Sequence, residues 1–206
     1  MTRYLITQSL ISSWYYVHDC TEGYEDEAIA SFLQTLRRQK SEPNEAILNG
    51  IAFENAVYAE AAKQPRPIND KWEPGIRRIS SMLEGAQFQV HVSRRLEAAD
   101  MSFLVYGVLD ALRAGTIYDV KFKNKSLGSV DVAGSYLGSP QHPLYFYCVP
   151  EALEFRYLVS DGKDVYCERY TPTESRSAKS VIEDFVSALQ VMDLLDTYKQ
   201  HWEARP

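Results

Sequence analysis

Asp110, Asp119 and Lys121 lie within one short stretch, Tyr106–Lys125, and are of the types that hold cations and face phosphate. Apolar and β-branched residues fill both arms of that stretch, and Ala114-Gly115 marks a turn between them. The pattern predicts a hairpin. Side chains alternate faces along a strand. Asp110 then shares a face with Tyr106, Val108 and Leu112, and Asp119 shares one with Ile117, Lys121 and Lys123. A two-residue loop pairs Arg113 with Thr116, Leu112 with Ile117 and Ala111 with Tyr118, and sets Asp110 opposite Asp119. Directly opposed side chains sit roughly 5 Å apart, where like charges repel. Two carboxylates so placed call for a cation. Lys121 can supply part of the charge; a divalent metal matches better, because hard cations take carboxylate oxygens. The competing reading is a hairpin with two solvated acids and an ordinary surface lysine. A loop longer by one residue also undoes the direct pairing.

Two further positions stand out. A helix is expected from Pro43 to about Ala62, with Ser41 as N-cap, ending before Gln64-Pro65-Arg66-Pro67. Its polar residues Glu45, Asn49 and Glu60 gather on one side. At about 100° per residue, Glu54 lies about 180° from Glu45 and about 140° from Asn49. It falls instead among Ile47, Ile51 and Tyr58. A carboxylate in an apolar stripe is costly unless it is paired or holds a metal, and an internal salt bridge is the alternative. Later, Gln141 and Tyr145 are four residues apart and share a helix face, as a core tyrosine beside an unrelated polar residue also would.

The elements that must position these groups are readable in outline. Leu5–Val17 reads as an apolar-aromatic helix and Glu27–Gln39 as an amphipathic one. Glu73–Gly85 is a further amphipathic helix. Gln87–Leu96 alternates as a strand with Phe88, Val90 and Val92 on one face, and His91 on the other reads as a surface group. Leu127–Gly138, rich in Gly and Ser, is irregular or a weak short helix. Ser139-Pro140 opens the helix carrying Gln141 and Tyr145. Leu153–Val159 and Asp164–Tyr170 form a second hairpin around Asp161-Gly162, and Ser175–Gln200 reads as one long helix. The fold class expected is α/β in an α+β arrangement: one domain over residues 1–206, with a mixed sheet, an antiparallel meander and an N-terminal helical segment.

Composition narrows the function. The chain has 206 residues, 45% hydrophobic and 12% aromatic, as a folded domain does. No apolar run is long enough to cross a bilayer and no signal pattern is evident, so the cytoplasm is the expected compartment. Cys20, Cys148 and Cys167 are far apart with no C-x-x-C pair, which argues against structural zinc, an iron–sulfur cluster and disulfides. Net charge is −6, so any contact with nucleic acid must be local and metal-assisted. Basic residues cluster at Arg37-Arg38-Lys40, Arg77-Arg78, Arg94-Arg95 and Lys121/Lys123/Lys125, each also readable as a solvated face.

The ordered set Gly50-x-x-x-Glu54, Gly107-Val-Leu-Asp110, Asp119-Val-Lys121 and Gln141-x-x-x-Tyr145 resembles the PD-(D/E)XK nuclease superfamily, nearest its RecB-type and phage-type (lambda exonuclease-like) branch. The resemblance spans about Asn44–Phe146. It implies a restriction-endonuclease-like core and hydrolysis of DNA by an exonuclease of phage or prophage recombination or repair. An endonuclease of the same fold and a non-catalytic DNA-binding module are the alternatives. It implies Mg²⁺, replaceable by Mn²⁺, held by Asp110, Asp119 and the carbonyl of Val120. Glu54 would serve a metal-bound water or a second ion. Lys121 would orient the attacking water or stabilise the phosphate, Gln141 and Tyr145 would border the site and contact the strand, and Lys123 would meet a phosphate. DNA is the implied partner, and the branch allows a homo-oligomer and a single-strand annealing partner protein. The histidine that many RecB-type relatives carry before the helix glutamate is missing, as is the iron–sulfur cysteine set. Both departures favour the simpler phage-type enzymes and leave a second metal open.

Overall fold

Ala114 and Gly115 both take positive φ, 47° and 79°, the mirror-image turn that suits the twist of a two-residue hairpin loop. The turn pairs Arg113 with Thr116, Leu112 with Ile117 and Ala111 with Tyr118, the register expected from the sequence. It joins β3 (Met101–Arg113) to β4 (Thr116–Phe122) in a computed structural model that describes residues 2–129 and 133–204.

Four further strands complete a six-stranded mixed sheet. β1 (Arg3–Thr7) runs parallel to the first half of β3. β2 (Gln87–Ala98) covers the other edge of β3 through a tight hairpin. β5 (Glu154–Ser160) pairs parallel with β4, and β6 (Val165–Tyr170) antiparallel with β5. The second expected hairpin is therefore present. The strand β1 was not expected: its residues read as the start of a helix. Thr7 separates the two, since its hydroxyl accepts the amide of Leu10 at 3.3 Å and so caps α1 (Gln8–Asp19).

β1 and β4 share one edge of β3. β1 ends opposite Tyr106 and β4 begins opposite Ala111, so Gly107–Asp110 have no strand partner on that side. The expected Asp110–Asp119 cross-strand pair does not form, because β4 leaves β3 after three pairs and continues beside β5. On the far edge the β2–β3 ladder skips Gln89 and Asp110, and Gln89 has φ 51°. Phe88 and Ala111 pack on one face, whereas Val90, Val92 and Leu109 pack on the other. Both strands thus change faces here as at a bulge, which corrects the uninterrupted alternation expected for them.

Helices cover both faces. α2 (Glu25–Leu36), α6 (Ala178–Val191) and α7 (Leu195–His201) join α1 and β1 around Phe32, Phe185 and Tyr198. The expected single C-terminal helix is broken at Asp193, which takes φ 57°. α3 (Glu45–Ala61) and α4 (Glu73–Met82) bury Phe53, Val57, Ile76 and Ile79 against β4 and β5. Asn44, not Ser41, caps α3: its side-chain oxygen accepts the Ile47 amide at 2.9 Å, and Pro43 lies outside. α5 (Gln141–Cys148) packs on the opposite face over Phe155 and Tyr157. Among the described residues no helix is long and apolar enough to cross a membrane.

Candidate active site

The gap in the sheet is filled by side chains. Asp110 reaches across it and accepts the amide of Val120 at 2.9 Å, supplying the bond that strand pairing would otherwise make. Asp119, 2% exposed, lies in the middle of β4. One of its carboxylate oxygens accepts the amide NH₂ of Gln141, the first residue of α5. The other oxygen, Oδ2, lies 2.6 Å from the ammonium of Lys121 but makes no aligned hydrogen bond. Lys121 is densely surrounded, yet its side chain keeps 35% of its exposure. The side chain is thus packed along part of its length and reached by solvent along the rest.

Glu54 approaches from α3, and its Oε1 accepts the Tyr58 hydroxyl at 2.6 Å. The stripe expected around it is not buried: Ile47 and Ile51 are 51% and 49% exposed and Tyr58 is half-buried, because the helix turns Phe53 and Val57 to the core instead. Glu54 therefore stands at the border between core and surface. Tyr145, 6% exposed, donates its hydroxyl to the carbonyl of Val108 at 3.2 Å, inside the unpaired stretch of β3. Lys123 holds its ammonium 5.7 Å from the ring centre of Tyr136. Sequence reasoning did not single out Tyr58 as a partner or Tyr136 at all. Tyr58 had a signal, being one helical turn after Glu54; Tyr136 had none, since it lies in irregular chain.

Two of the solved structures that the chain matches superpose over nearly its whole length. One is LHK-Exo in complex with dAMP: TM-score 0.53, 13% identity, 95% of this chain and 91% of that one. The fold is shared. The other, SSO0001, matches with TM-score 0.53 and 12% identity over 93% of this chain and 77% of that one. No protein-family model matches the sequence, and no curated protein matches it. The chain thus has an α/β fold with a central mixed sheet flanked by helices, similar to that of LHK-Exo.

Electrostatics tie the acids together. Burial raises Asp110 well above the usual carboxylate range, and the charges of Asp119 and Glu54 raise it further. Burial raises Glu54 as well; Asp119 adds to this, while the Tyr58 bond and Lys121 oppose it. For Lys121, burial works against the charge, but Asp119 and Asp110 outweigh it and hold the ammonium protonated. Among the described residues no three acidic, histidine or cysteine side chains already close on one point as a metal cage. The donors present still suit a hard cation: acids whose charges raise the proton affinity of Asp110 and Glu54, a backbone carbonyl at Val120, and a buried Asp119 Oδ2 held, among the described residues, by Lys121.

A pH prediction follows. Asp110 and Glu54 bind protons more tightly folded than unfolded. Stability from them is present at acid pH and is lost as pH rises through the window above the ordinary carboxylate value. Asp110→Asn keeps the acceptor for the Val120 amide but removes the charge. In EDTA, its melting temperature is expected to gain on the wild type as pH rises from about 4 to about 8. A constant difference across that range would contradict the assignment.

Proposed function

We propose that the chain is a metal-dependent deoxyribonuclease of the PD-(D/E)XK type that degrades DNA from its ends. The observation that carries this reading is the Asp119–Lys121 ion pair on β4, beside Asp110 and clamped by Gln141, at an opening in the sheet. The fold shared with LHK-Exo, which was crystallised with a deoxynucleotide, supports it. The motif resemblance to the phage-type branch suggests a place in phage or prophage recombination or repair.

Asp110, Asp119 and the carbonyl of Val120 would hold Mg²⁺, or Mn²⁺ in its place, with Glu54 at its water side. When bound, such an ion makes water a nucleophile at neutral pH and draws charge from phosphoryl oxygens. Lys121 stays charged among its acids, which suits it to stabilise the growing negative charge on phosphate and unsuits it to take a proton. Gln141 holds the carboxylate plane of Asp119 and so sets how Asp119 faces a ligand. Lys123 would meet a phosphate of the strand, while Gln141 and Tyr145, 5% and 6% exposed, would border the site from behind the acids.

Incubation with linear and with closed circular duplex DNA, in Mg²⁺ or EDTA, tests the reading. Linear DNA is expected to disappear from its ends in Mg²⁺, circles to survive, and EDTA to stop the reaction. Cut circles would assign an endonuclease. Binding without cleavage in any divalent metal would leave a DNA-binding module and overturn the proposal.

A further inference from the structure

Residues 134–136, in the irregular chain before α5, are anchored with more care than irregular chain needs. The backbone amides of Gly134 and Tyr136 donate to the carboxylate of Glu168, at 3.0 and 3.2 Å. Glu168 is itself buried on β6, where it also accepts the hydroxyl of Tyr170. The ring of Tyr136 lies flat on Tyr157, with centroids 4.2 Å apart and planes within 13°. Tyr157 is the register partner of Asp119 on the next strand. The ammonium of Lys123, two residues along the strand from Lys121, sits 5.7 Å from the same ring. These contacts place Tyr136 against the Asp119–Lys121 pair. Its hydroxyl oxygen is buried and has no hydrogen-bond partner among the described residues.

An unpartnered buried hydroxyl costs about 1–3 kcal/mol, and phenylalanine would fill the same stack without it. The polar atom is explained if it meets a ligand. We propose that the Tyr136 hydroxyl donates a hydrogen bond to a non-bridging oxygen of the phosphate that Lys121 faces, a contact that rests on the nuclease reading above. The site would thus take phosphate from three directions: Lys121, Lys123 and this phenol. No proton is transferred; the group acts as a fixed donor. Burial pushes the phenol up to about 12, with Lys121 opposing and Asp119 and Glu168 adding to the rise, so it stays protonated at neutral pH. A neutral phenol offers its proton to an acceptor-only group, and a phosphate oxygen is one.

Tyr136→Phe decides the matter, assayed on linear duplex DNA in Mg²⁺ beside the wild type. We expect kcat to fall about a hundredfold, the loss typical of one donor to a charged transition state. KM is expected to stay within about twofold and the melting temperature to hold or rise, as removal of an unpaired buried hydroxyl predicts. Wild-type kcat in the variant, alongside an active wild type, would overturn the phosphate contact and leave the nuclease reading standing. So would a kcat loss matched by a falling melting temperature, which would mark a purely structural hydroxyl, or an effect confined to KM. A wild type inert in both Mg²⁺ and Mn²⁺ would remove the nuclease reading and this contact with it.

Discussion

Asp119→Asn is expected to slow DNA cleavage by about three orders of magnitude while the protein still folds. A bound metal is worth several kcal/mol of transition-state stabilisation, and each 1.36 kcal/mol is tenfold in rate. Removing one carboxylate charge from the pair Asp110 and Asp119 forfeits much of that. The substitution is not free for the fold. Asp119 is 2% exposed and meets donors on both oxygens, Gln141 on one and Lys121 on the other. An asparagine there must turn its own NH₂ toward one of them, so a stability loss of about 1–3 kcal/mol accompanies the loss of rate. The acid is therefore part of the core as well as of the site. Lys121→Met is expected to give a comparable loss of rate and to sensitise the metal-free protein, because the acids then repel one another without a counter-charge. Added Mg²⁺ is expected to restore its melting temperature more than it raises that of the wild type. Single-turnover cleavage and thermal unfolding on the same samples measure both effects. Wild-type rates in Asp119→Asn would remove the proposed active site.

The hairpin that carries the acids was legible because its signals are local. A glycine-containing two-residue turn between apolar arms dictates the register of the first few pairs, and Ala111 does meet Tyr118. What lay beyond was not local. Whether Asp110 faces Asp119 depends on where β4 abandons β3 for β5, and that choice is made by residues 154–160, far along the chain. The change of face at Gln89 and Asp110 was equally hidden, since Phe88, Val90 and Val92 alternate without a break. Short β1 was absorbed into the helix it precedes, because five apolar-rich residues satisfy either period. Glu54 was found as an anomaly in a helical stripe, although Ile47 and Ile51 of that stripe are exposed and Phe53 and Val57 face the core in their place. Gln141 and Tyr145 were found by spacing, but spacing could not say that each would bond to a strand, one to Asp119 and one to Val108.

Gly107→Ala is expected to cause the largest loss of stability of any small substitution near the site. A Cβ at this position falls on Cε1 of Tyr145, closer than real Cβ atoms come to any neighbour, and 3.1 Å from its hydroxyl. The ring has little room to yield. It is 6% exposed, bonded to the carbonyl of Val108 at 3.2 Å, and 6.2 Å from the ring of Phe155 in a stacked arrangement. Overpacking of this kind costs about 1–3 kcal/mol, sometimes more. Because Tyr145 and Gln141 sit one turn apart on α5, a displaced ring also moves the residue that clamps Asp119. A drop in cleavage rate is therefore expected on top of the lower melting temperature. The clash predicts its own remedy. In a Tyr145→Ala background the added methyl meets no ring, so Gly107→Ala is expected to cost almost nothing further. The coupling between the two positions in a double-mutant cycle then equals most of the single-mutant loss. Additive losses would mean that the glycine is needed for its backbone freedom and not for the approach of the tyrosine. The distinction bears on the site itself. Gly107 opens the stretch of β3 that lacks a strand partner, and a side chain there would fill the very space through which α5 reaches the sheet and holds the acids in place.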